Sequence, residues 1–216
     1  IFVFENGGTQ YLGIDVTFAS FQEDLSELRC YFEFDQNYQL TGTAKPFNAT
    51  IDTAITAVGD FDGAGHDDFV TITNPSLIIY TNSTGTWNKQ TIPLPGDMIS
   101  NTLKVDDLDG DGLDDVVFGF SEESQSSPGE TVGKVGIWMS SSPGEITSVT
   151  LNSSSSDPLR PQEILIANLD IDTPSPDALE IYVQGDSHSI VLDYSSDAYA
   201  PTLPLLNDVV YQAVTF

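Results

Sequence analysis

The sequence predicts an all-β protein built from repeated antiparallel strands, and three observations lead to this prediction. An Asp-rich turn recurs along the chain, with copies that begin at residues 60, 107 and 168. Short β-branched and aromatic runs follow the first two turns, and such residues favour strands. The unit between copies is 47 to 61 residues long, near the range that solenoids and propellers use. The repeat therefore organises the chain.

The clearest copy of the turn lies within residues 104–120. Counted from Asp107 as position 1, it has carboxylates at positions 1, 3, 5 and 9, and Gly112 at position 6. Alternate side chains of a tightly curled loop converge on one point, where a backbone carbonyl at position 7 can join them. Ca²⁺ prefers such hard oxygen ligands. The predicted calcium ligands are Asp107, Asp109, Asp111, the carbonyl of Leu113, and Asp115.

The residues after this loop exclude a helix-loop-helix calcium hand. That motif requires a bidentate Glu at position 12, and this chain has Phe118 there. Residues 116–118 are Val, Val and Phe, which favour a strand. The loop is therefore expected to join two strands.

Two further copies are less complete. In the first copy, Ala64 replaces the position-5 carboxylate, so this copy is expected to bind calcium more weakly. Its predicted ligands are Asp60, Asp62, the carbonyl of His66, and Asp68. The third copy lacks the glycine and reaches its last Asp one residue late. Its candidate ligands are Asn168, Asp170, Asp172 and Asp177.

Residues 57–63 and 105–112, each followed by Asp-Asp and an apolar strand, resemble the FG-GAP repeats of the integrin α-subunit β-propeller and its relatives. The resemblance covers residues 51–194. It implies a β-propeller-like array of four-stranded antiparallel blades, with a calcium loop between the first two strands of each blade. We expect one such domain or propeller fragment over residues 1–216, with blades at about 1–50, 51–96, 97–158 and 159–216.

The first blade begins with a strand at 1–4, a turn at 5–8 and a return strand at 10–17. A capping box at 20–23 with apolar residues at helical spacing predicts a short helix over 21–29. A second hairpin is expected at 30–34 and 38–40, turned by residues 35–37.

The middle two blades give clearer strand patterns. Expected strands are 53–58, 68–73, 77–81 and 87–92, with a turn at 82–85, followed by 101–105, 115–120, 135–139 and 146–151. Residues 121–133, rich in Ser, Glu, Pro and Gly, are interpreted as a long polar loop, either solvated or in contact with a partner.

The last blade is predicted at 163–167, 179–183 and 190–194, and an apolar strand at 208–216 follows Pro201 and Pro204. The chain is long enough for about four blades, whereas the resemblance implies about seven. The chain is then an excised part of a longer propeller, a small propeller closed by its terminal strands, or a protomer whose edge strands pair with another copy.

Composition limits the partners. The chain has 33 Asp and Glu against 6 Lys and Arg, a net charge of −27, which makes nucleic acid and anionic membranes unsuitable partners. Its single cysteine, Cys30, allows no intrachain disulfide and is interpreted as a small buried residue, with a free reactive thiol or an interchain bridge as the alternatives. No apolar run reaches the length of a membrane span, so no membrane insertion is expected in this segment.

Three glycosylation sequons favour a secreted or cell-surface location. They begin at Asn48, Asn82 and Asn152, and the last two lie in polar segments interpreted as turns from which a glycan could project. Millimolar extracellular calcium also suits weak loops of this kind. Five aromatic side chains are interpreted as packing in the core rather than as surfaces on which a sugar stacks. They are Trp87, Trp138, Tyr80, Tyr182 and Tyr194.

The resemblance implies a calcium-stabilised extracellular module that binds a protein or glycan partner through the loops on one rim. The alternative function is a structural protomer of a glycosylated filament or surface layer, assembled with copies of itself. Catalysis is not expected, because no Gly-x-Ser-x-Gly motif occurs and the calcium loops account for the abundant carboxylates. A glycosidase with two separate carboxylates is the third hypothesis.

Overall fold

The computed structural model describes most of the strands and two of the three Asp-rich loops. The described residues are 2–6, 9–18, 26–33, 39–40, 45–46, 57–73, 75–83, 86–94, 102–123, 128–129, 131–151, 161–167, 179–185, 189–195 and 198–205. Every regular element among them is a β-strand. The prediction of an all-β fold is therefore confirmed.

The chain divides into two compact units, residues 1–93 and 94–216. The first unit contains two four-stranded antiparallel sheets in which sequence neighbours pair. One sheet consists of β1 (Phe2–Asn6), β2 (Thr9–Phe18), β3 (Ser26–Glu33) and β4 (Lys45–Pro46). The other consists of β5 (Ala57–Gly59), β6 (Asp68–Thr73), β7 (Ser76–Ser83) and β8 (Thr86–Pro93).

The second unit repeats this arrangement with two more four-stranded meanders. One contains β9 (Leu103–Asp106), β10 (Asp115–Glu123), β11 (Thr131–Trp138) and β12 (Ile146–Thr150). The other contains β13 (Pro161–Ala167), β14 (Glu180–Gly185), β15 (Ser189–Ser195) and β16 (Ala198–Leu205). Four antiparallel sheets of this kind confirm the predicted four-stranded blades, while the single-domain interpretation of residues 1–216 stays a prediction.

The core of the second unit lies between its two sheets. Side chains of β10, β11 and β12 form one buried cluster with side chains of β13, β14 and β15. Its members are Leu108, Val117, Val135, Ile137, Val149, Leu151, Ile164, Ile181, Val183, Ile190 and Leu192. Removing such side chains from water stabilises the fold by about 1.5–3 kcal/mol each, so the two sheets depend on each other.

Gly119 allows β10 and β13 to approach closely. A Cβ atom placed on Gly119 would lie 2.5 Å from the Cβ of Pro161 and 3.0 Å from Oγ1 of Thr102. The Gly119 N–H also donates to the carbonyl of Thr102 at 3.2 Å. The glycine between Phe118 and Phe120 is thus required by packing.

Three of the aromatic residues named above pack as expected. Trp138 and Tyr80 are buried, and Trp87 stacks on Phe69 with ring centroids 4.6 Å apart. The Tyr182 hydroxyl forms a 2.8 Å hydrogen bond with Oγ of Ser189. These contacts confirm core packing for the two tryptophans and Tyr80. Cys30 lies opposite Ile14 and Pro46 in its sheet. The side chains of Cys30 and Tyr194 lie outside the described part of the structure.

The helix predicted over 21–29 is wrong for its described part, because β3 begins at Ser26. Residues 26–33 pair along their whole length with β2, from Ser26 opposite Phe18 to Glu33 opposite Tyr11. Eight cross-strand positions outweigh a local helical pattern of similar length, since tertiary pairing overrides propensity. Residues 20–25 and the predicted turn at 35–37 lie outside the described residues.

The long polar loop predicted over 121–133 is wrong at both ends. Strand β10 continues to Glu123 and β11 begins at Thr131, with Glu123 opposite Thr131 in the ladder. Lys134 forms an ion pair with Glu122 on these extended strands. The polar residues therefore lengthen a hairpin.

Strand β16, which contains Pro201 and Pro204, was not predicted. Within the described part of the chain it pairs with β15 alone, and Pro201 lies opposite Leu192. Proline is tolerated on an edge strand because one side of that strand needs no N–H donors. The strand predicted at 208–216 lies outside the described residues.

Candidate metal-binding loops

Each described Asp-rich loop joins the first and second strands of a blade. Residues 60–67 connect β5 to β6, and residues 107–114 connect β9 to β10. The strands that bracket each loop pair directly, as in the register of Gly59 with Asp68 and of Asp106 with Asp115. The predicted placement of both loops is confirmed.

Two glycines and the Asp at position 1 give each loop its tight curl. Gly110 and Gly112 have φ values of 75° and 89°, and Gly63 and Gly65 have 71° and 72°. A residue with a side chain rarely adopts this left-handed conformation. Position 4 of the loop thus needs glycine as much as position 6, although the sequence pattern emphasised only position 6.

The position-1 Asp holds the curl by accepting backbone N–H groups. Oδ1 of Asp107 accepts from Gly110 at 2.8 Å, and its Oδ2 accepts from Gly112 at 2.9 Å. Asp60 repeats both bonds with Gly63 and Gly65, at 2.8 and 2.9 Å. The loops therefore share one backbone geometry although they lie in different units.

The result is a cluster of three carboxylates in each loop. One ligand atom from each of Asp107, Asp109 and Asp115 lies within 4.8 Å of the other two, and the same holds for the set of Asp60, Asp62 and Asp68. Two like charges about 4 Å apart repel by about 4 kcal/mol at the effective dielectric of a protein surface. A hard divalent cation would remove this repulsion, so both clusters could hold a metal ion.

Position 9 is the most buried member of each cluster. Asp115 is 1% exposed, and its oxygens accept N–H groups from Ser140 at 2.8 Å and Leu108 at 3.0 Å. Asp68 is 0% exposed, and its oxygens accept from Asn82 at 2.7 Å and Phe61 at 3.0 Å. Asp68 thereby connects the first loop to β7, the third strand of its blade. Asp115 connects the second loop to the turn that follows β11.

Burial and neighbouring charge disfavour the ionised form of these groups. Burial, with the carboxylates of Asp109 and Asp111 nearby, raises the pKa of Asp115 to about 7. Burial, together with Asp62 and Asp60, raises the pKa of Asp68 to about 7 as well. Burial, and then the charges of Asp111 and Asp107, raise the pKa of Asp109. A cation would reverse this effect and favour the carboxylates.

A family model described as an FG-GAP-like repeat matches residues 60–118. The match begins at position 1 of the first loop and ends in β10, so it spans both clusters and the strands between them. Residues 60–118 are an FG-GAP-like repeat. This confirms the FG-GAP resemblance stated above, and no curated protein matches the chain. FG-GAP repeats are typical of extracellular proteins.

Not every predicted ligand joins a cluster in this FG-GAP-like repeat. Asp111 is exposed, its Oδ1 accepts the N–H of Leu113 at 2.8 Å, and it is not a member of the three-carboxylate set. Ligation by Asp111, and by the carbonyls of Leu113 and His66, stays a prediction. The third loop with Asn168, Asp170, Asp172 and Asp177 lies outside the described residues.

The turn predicted at Asn82 is wrong. Asn82 lies in β7 opposite Trp87 and is 1% exposed, because its N–H group is bonded to buried Asp68. A glycan could not project from this amide in the folded blade, so the prediction of a glycan there conflicts with the structure. Asn48 and Asn152 lie outside the described residues.

Sequence reasoning missed the residues that hold the clusters from a distance. Ser140 and Ser141 contact Asp115 and Asp109 across 25 and 32 residues. They lie in the turn after β11, which has no Asp-rich pattern. Only the meander, which places the 1–2 loop and the 3–4 turn at the same end of a sheet, could have indicated them.

Proposed function

We propose that the chain is a calcium-stabilised extracellular β-propeller module that binds a protein or glycan partner through the loops at the metal-bearing ends of its blades. The observation that supports this proposal most is the repeated cluster of three carboxylates, built with the same backbone bonds in two blades. A turn that served only as a solvated connection would not need to gather its carboxylates twice in this way.

Calcium would supply positive charge at the centre of each cluster and fix the spacing of its oxygens. Asp107 would hold the ion and the curled loop at once, since its oxygens already bind the loop N–H groups. Asp115 would connect the ion to the turn after β11 through Ser140. Binding would thereby stiffen three strands of the blade at their loop end.

The surface charge supports a partner other than a polyanion. A net charge of −27 repels nucleic acid and anionic membranes, and no helix among the described residues is long and apolar enough to cross a membrane. The exposed turn at residues 141–145 and the exposed glycines of the second loop lie at the end of the blade that we propose to face the partner.

The filament alternative gains less support from the outer strands. Assembly through sheet edges needs long, unobstructed edge strands. Strand β16 contains two prolines, and β4 is two residues long and includes Pro46. Strand β8 exposes the polar side chains of residues 88–91. These features are typical of edges protected from pairing.

We also propose that the chain is not an enzyme. Among the described residues, the acidic side chains that gather in groups of three within ligand distance are those of the two loops. A hydrolase would require an acid and a base outside these clusters. The test is a screen with chromogenic glycosides and esters. Turnover that is abolished by substituting a carboxylate outside the two clusters would contradict this proposal.

Calcium removal is the decisive experiment. A site saturated at about 100 times its Kd adds about 2.7 kcal/mol to the free energy of unfolding, which corresponds to a Tm increase of several degrees in a chain of this size. We expect Tm to fall when EDTA replaces calcium, and Asp107→Asn to reduce the difference. Asp106→Asn is the matched control, because Asp106 is exposed, lies outside the cluster and accepts the N–H of Asp107 with an oxygen that Asn retains. An equal Tm in calcium and EDTA would contradict the calcium proposal.

Partner binding needs a separate test. The chain, immobilised in calcium, is probed with a glycan array and with cell-surface protein extracts, and bound material is eluted with EDTA. We expect retention that disappears in EDTA and in Asp107→Asn but persists in Asp106→Asn. Retention of nothing, or of material that EDTA does not release, would count against a calcium-dependent binding surface.

A further inference from the structure

The turn that connects β11 to β12 lies directly against the second metal-binding loop. It comprises residues 139–145, and residues 141–145 are exposed. The antiparallel meander brings it to the same end of the sheet as residues 107–114, because the connections between strands one and two and between strands three and four share one end. The two segments are 25 or more residues apart in sequence.

Three hydrogen bonds join this turn to the loop. The Ser140 N–H donates to Oδ1 of Asp115 at 2.8 Å, and the Ser140 hydroxyl donates to the carbonyl of Asp114. The Ser141 hydroxyl donates to Oδ2 of Asp109 at 3.4 Å. Two of the three clustered carboxylates are therefore held from outside the Asp-rich loop.

The turn is built firmly enough to position other groups. Its backbone closes through the N–H of Ser142 on the carbonyl of Met139 at 3.0 Å. Nε1 of the buried Trp138 donates to the carbonyl of Pro143 at 3.1 Å. The serines thus stand on a turn fixed by the core.

Asp109 is the carboxylate for which this support matters most. Its Oδ1 accepts the N–H of Asp111 at 3.2 Å, and Ser141 holds the other oxygen. In the first loop, within the described part of the chain, the matching Asp62 accepts a hydrogen bond only from Ala64, at 2.9 Å. The extra bond restricts the rotation of Asp109 and leaves less side-chain entropy to be lost on binding.

We propose that Ser140 and Ser141 belong to the second metal site, with Ser141 as a positioning residue for Asp109 and Ser140 as one for Asp115. The inference rests on the proposed function, in that the loop must bind calcium. Groups behind metal ligands commonly change metal affinity by tenfold or more when removed. The 3.4 Å bond of Ser141 is long, so we expect a smaller effect of about threefold to tenfold.

The test is calcium titration by isothermal calorimetry on the full chain, following the site that Asp107→Asn removes. Ser141→Ala is expected to weaken this site about threefold to tenfold, and Ser141→Thr, which retains the hydroxyl, to restore it. Ser142→Ala is the matched control, since it changes the neighbouring exposed serine. The Tm in EDTA is expected to be the same for the wild type and for the three serine variants. This result would separate the positioning of Asp109 from a general loss of stability.

Hydrogen exchange of the unaltered chain gives a second measurement that does not depend on any variant. Calcium is expected to slow exchange of the Ser140 amide, because ion binding fixes its acceptor Asp115. Wild-type affinity in Ser141→Ala, or a Ser140 amide that exchanges at the same rate with and without calcium, would overturn this inference and leave the calcium proposal standing. A wild-type chain that binds no calcium would overturn both.

Discussion

Gly136 in β11 lies directly opposite Phe118 in β10, and the ring of Phe118 occupies the space that a side chain at residue 136 would need. The nearest atoms to a Cβ placed on Gly136 are three carbons of that ring, all well inside van der Waals contact. The ring is fully buried, so it has little room to move aside. The requirement for glycine here is steric.

We therefore expect Gly136→Ala to destabilise the protein by about 1–3 kcal/mol, the usual range for an overpacked core. Urea unfolding in saturating calcium measures the effect. Gly144→Ala is the control, because a Cβ at residue 144 meets nothing within 4 Å, and we expect a change below about 0.5 kcal/mol. Similar losses in the two variants would contradict the packing argument.

Gly112 tests the conformation of the second loop without a clash. Its φ is 89°, and no atom lies within 4 Å of a Cβ placed there. Gly112→Ala is expected to cost about 1–2 kcal/mol through backbone strain, whereas Gly112→Asn should cost less, because Asn tolerates left-handed conformations. Thermal unfolding with and without calcium checks this order. Equal Tm values for the Ala variant and the wild type would show that the loop does not need a positive φ at this residue.

The pKa values of Asp68 and Asp115 predict how the stability of the calcium-free protein depends on pH. Both are raised from 3.8 to about 7 in the fold, so between about pH 5 and 7 the folded state holds protons that the unfolded state has released. The stability associated with these groups is present below their unfolded pKa and is lost as pH rises through 7. The expected slope is about −1.4 kcal/mol per pH unit for each group in that window.

Urea unfolding in EDTA at several pH values measures this slope. Saturating calcium should abolish it, because the bound ion favours the carboxylate form. Asp68→Asn and Asp115→Asn should each lower stability and also make the pH dependence shallower, since an amide does not titrate. Stability that increases from pH 5 to 7 in EDTA would contradict the raised pKa values.

Burial of Asn82 predicts the pattern of glycosylation. When the chain is expressed through a eukaryotic secretory pathway, we expect the Asn82 sequon of the folded product to carry no glycan, because the residue is 1% exposed within β7. Peptide mapping by mass spectrometry after enzymatic deglycosylation measures occupancy at each sequon. Full occupancy at Asn82 in a correctly folded product would contradict the placement of this residue.

The sequence predicted the strands that are determined by residues close to one another in the chain. Strand β6 was predicted with its observed bounds, Asp68–Thr73, and β10 with its observed start at Asp115, because each is an apolar run that directly follows a polar turn. The curled loops followed from the spacing of Asp and Gly, since a loop of nine residues encodes its own geometry. In both cases the determining contacts are close in sequence.

Elements determined by distant contacts could not be predicted in the same way. Residues 26–29 have a helical pattern, but their pairing with β2 makes them a strand. Strand β16 depends on β15 and on the tolerance of a sheet edge for proline. The support of Asp109 by Ser141 crosses 32 residues, and no motif links a serine-rich turn to an acidic loop until the meander is known.

The shared core of β9–β12 and β13–β16 has a consequence for how this half of the chain can be cut or recombined. Val117 and Val135 belong to one sheet, and Ile181 and Val183 to the other, yet all four enclose the same apolar interior. A fragment ending between these sheets would expose half of that interior to water, and the fragment would be prone to aggregate. The two sheets should therefore be kept together in any fragment of this half, because gene shuffling that respects repeat boundaries but separates them would expose the apolar side chains of both.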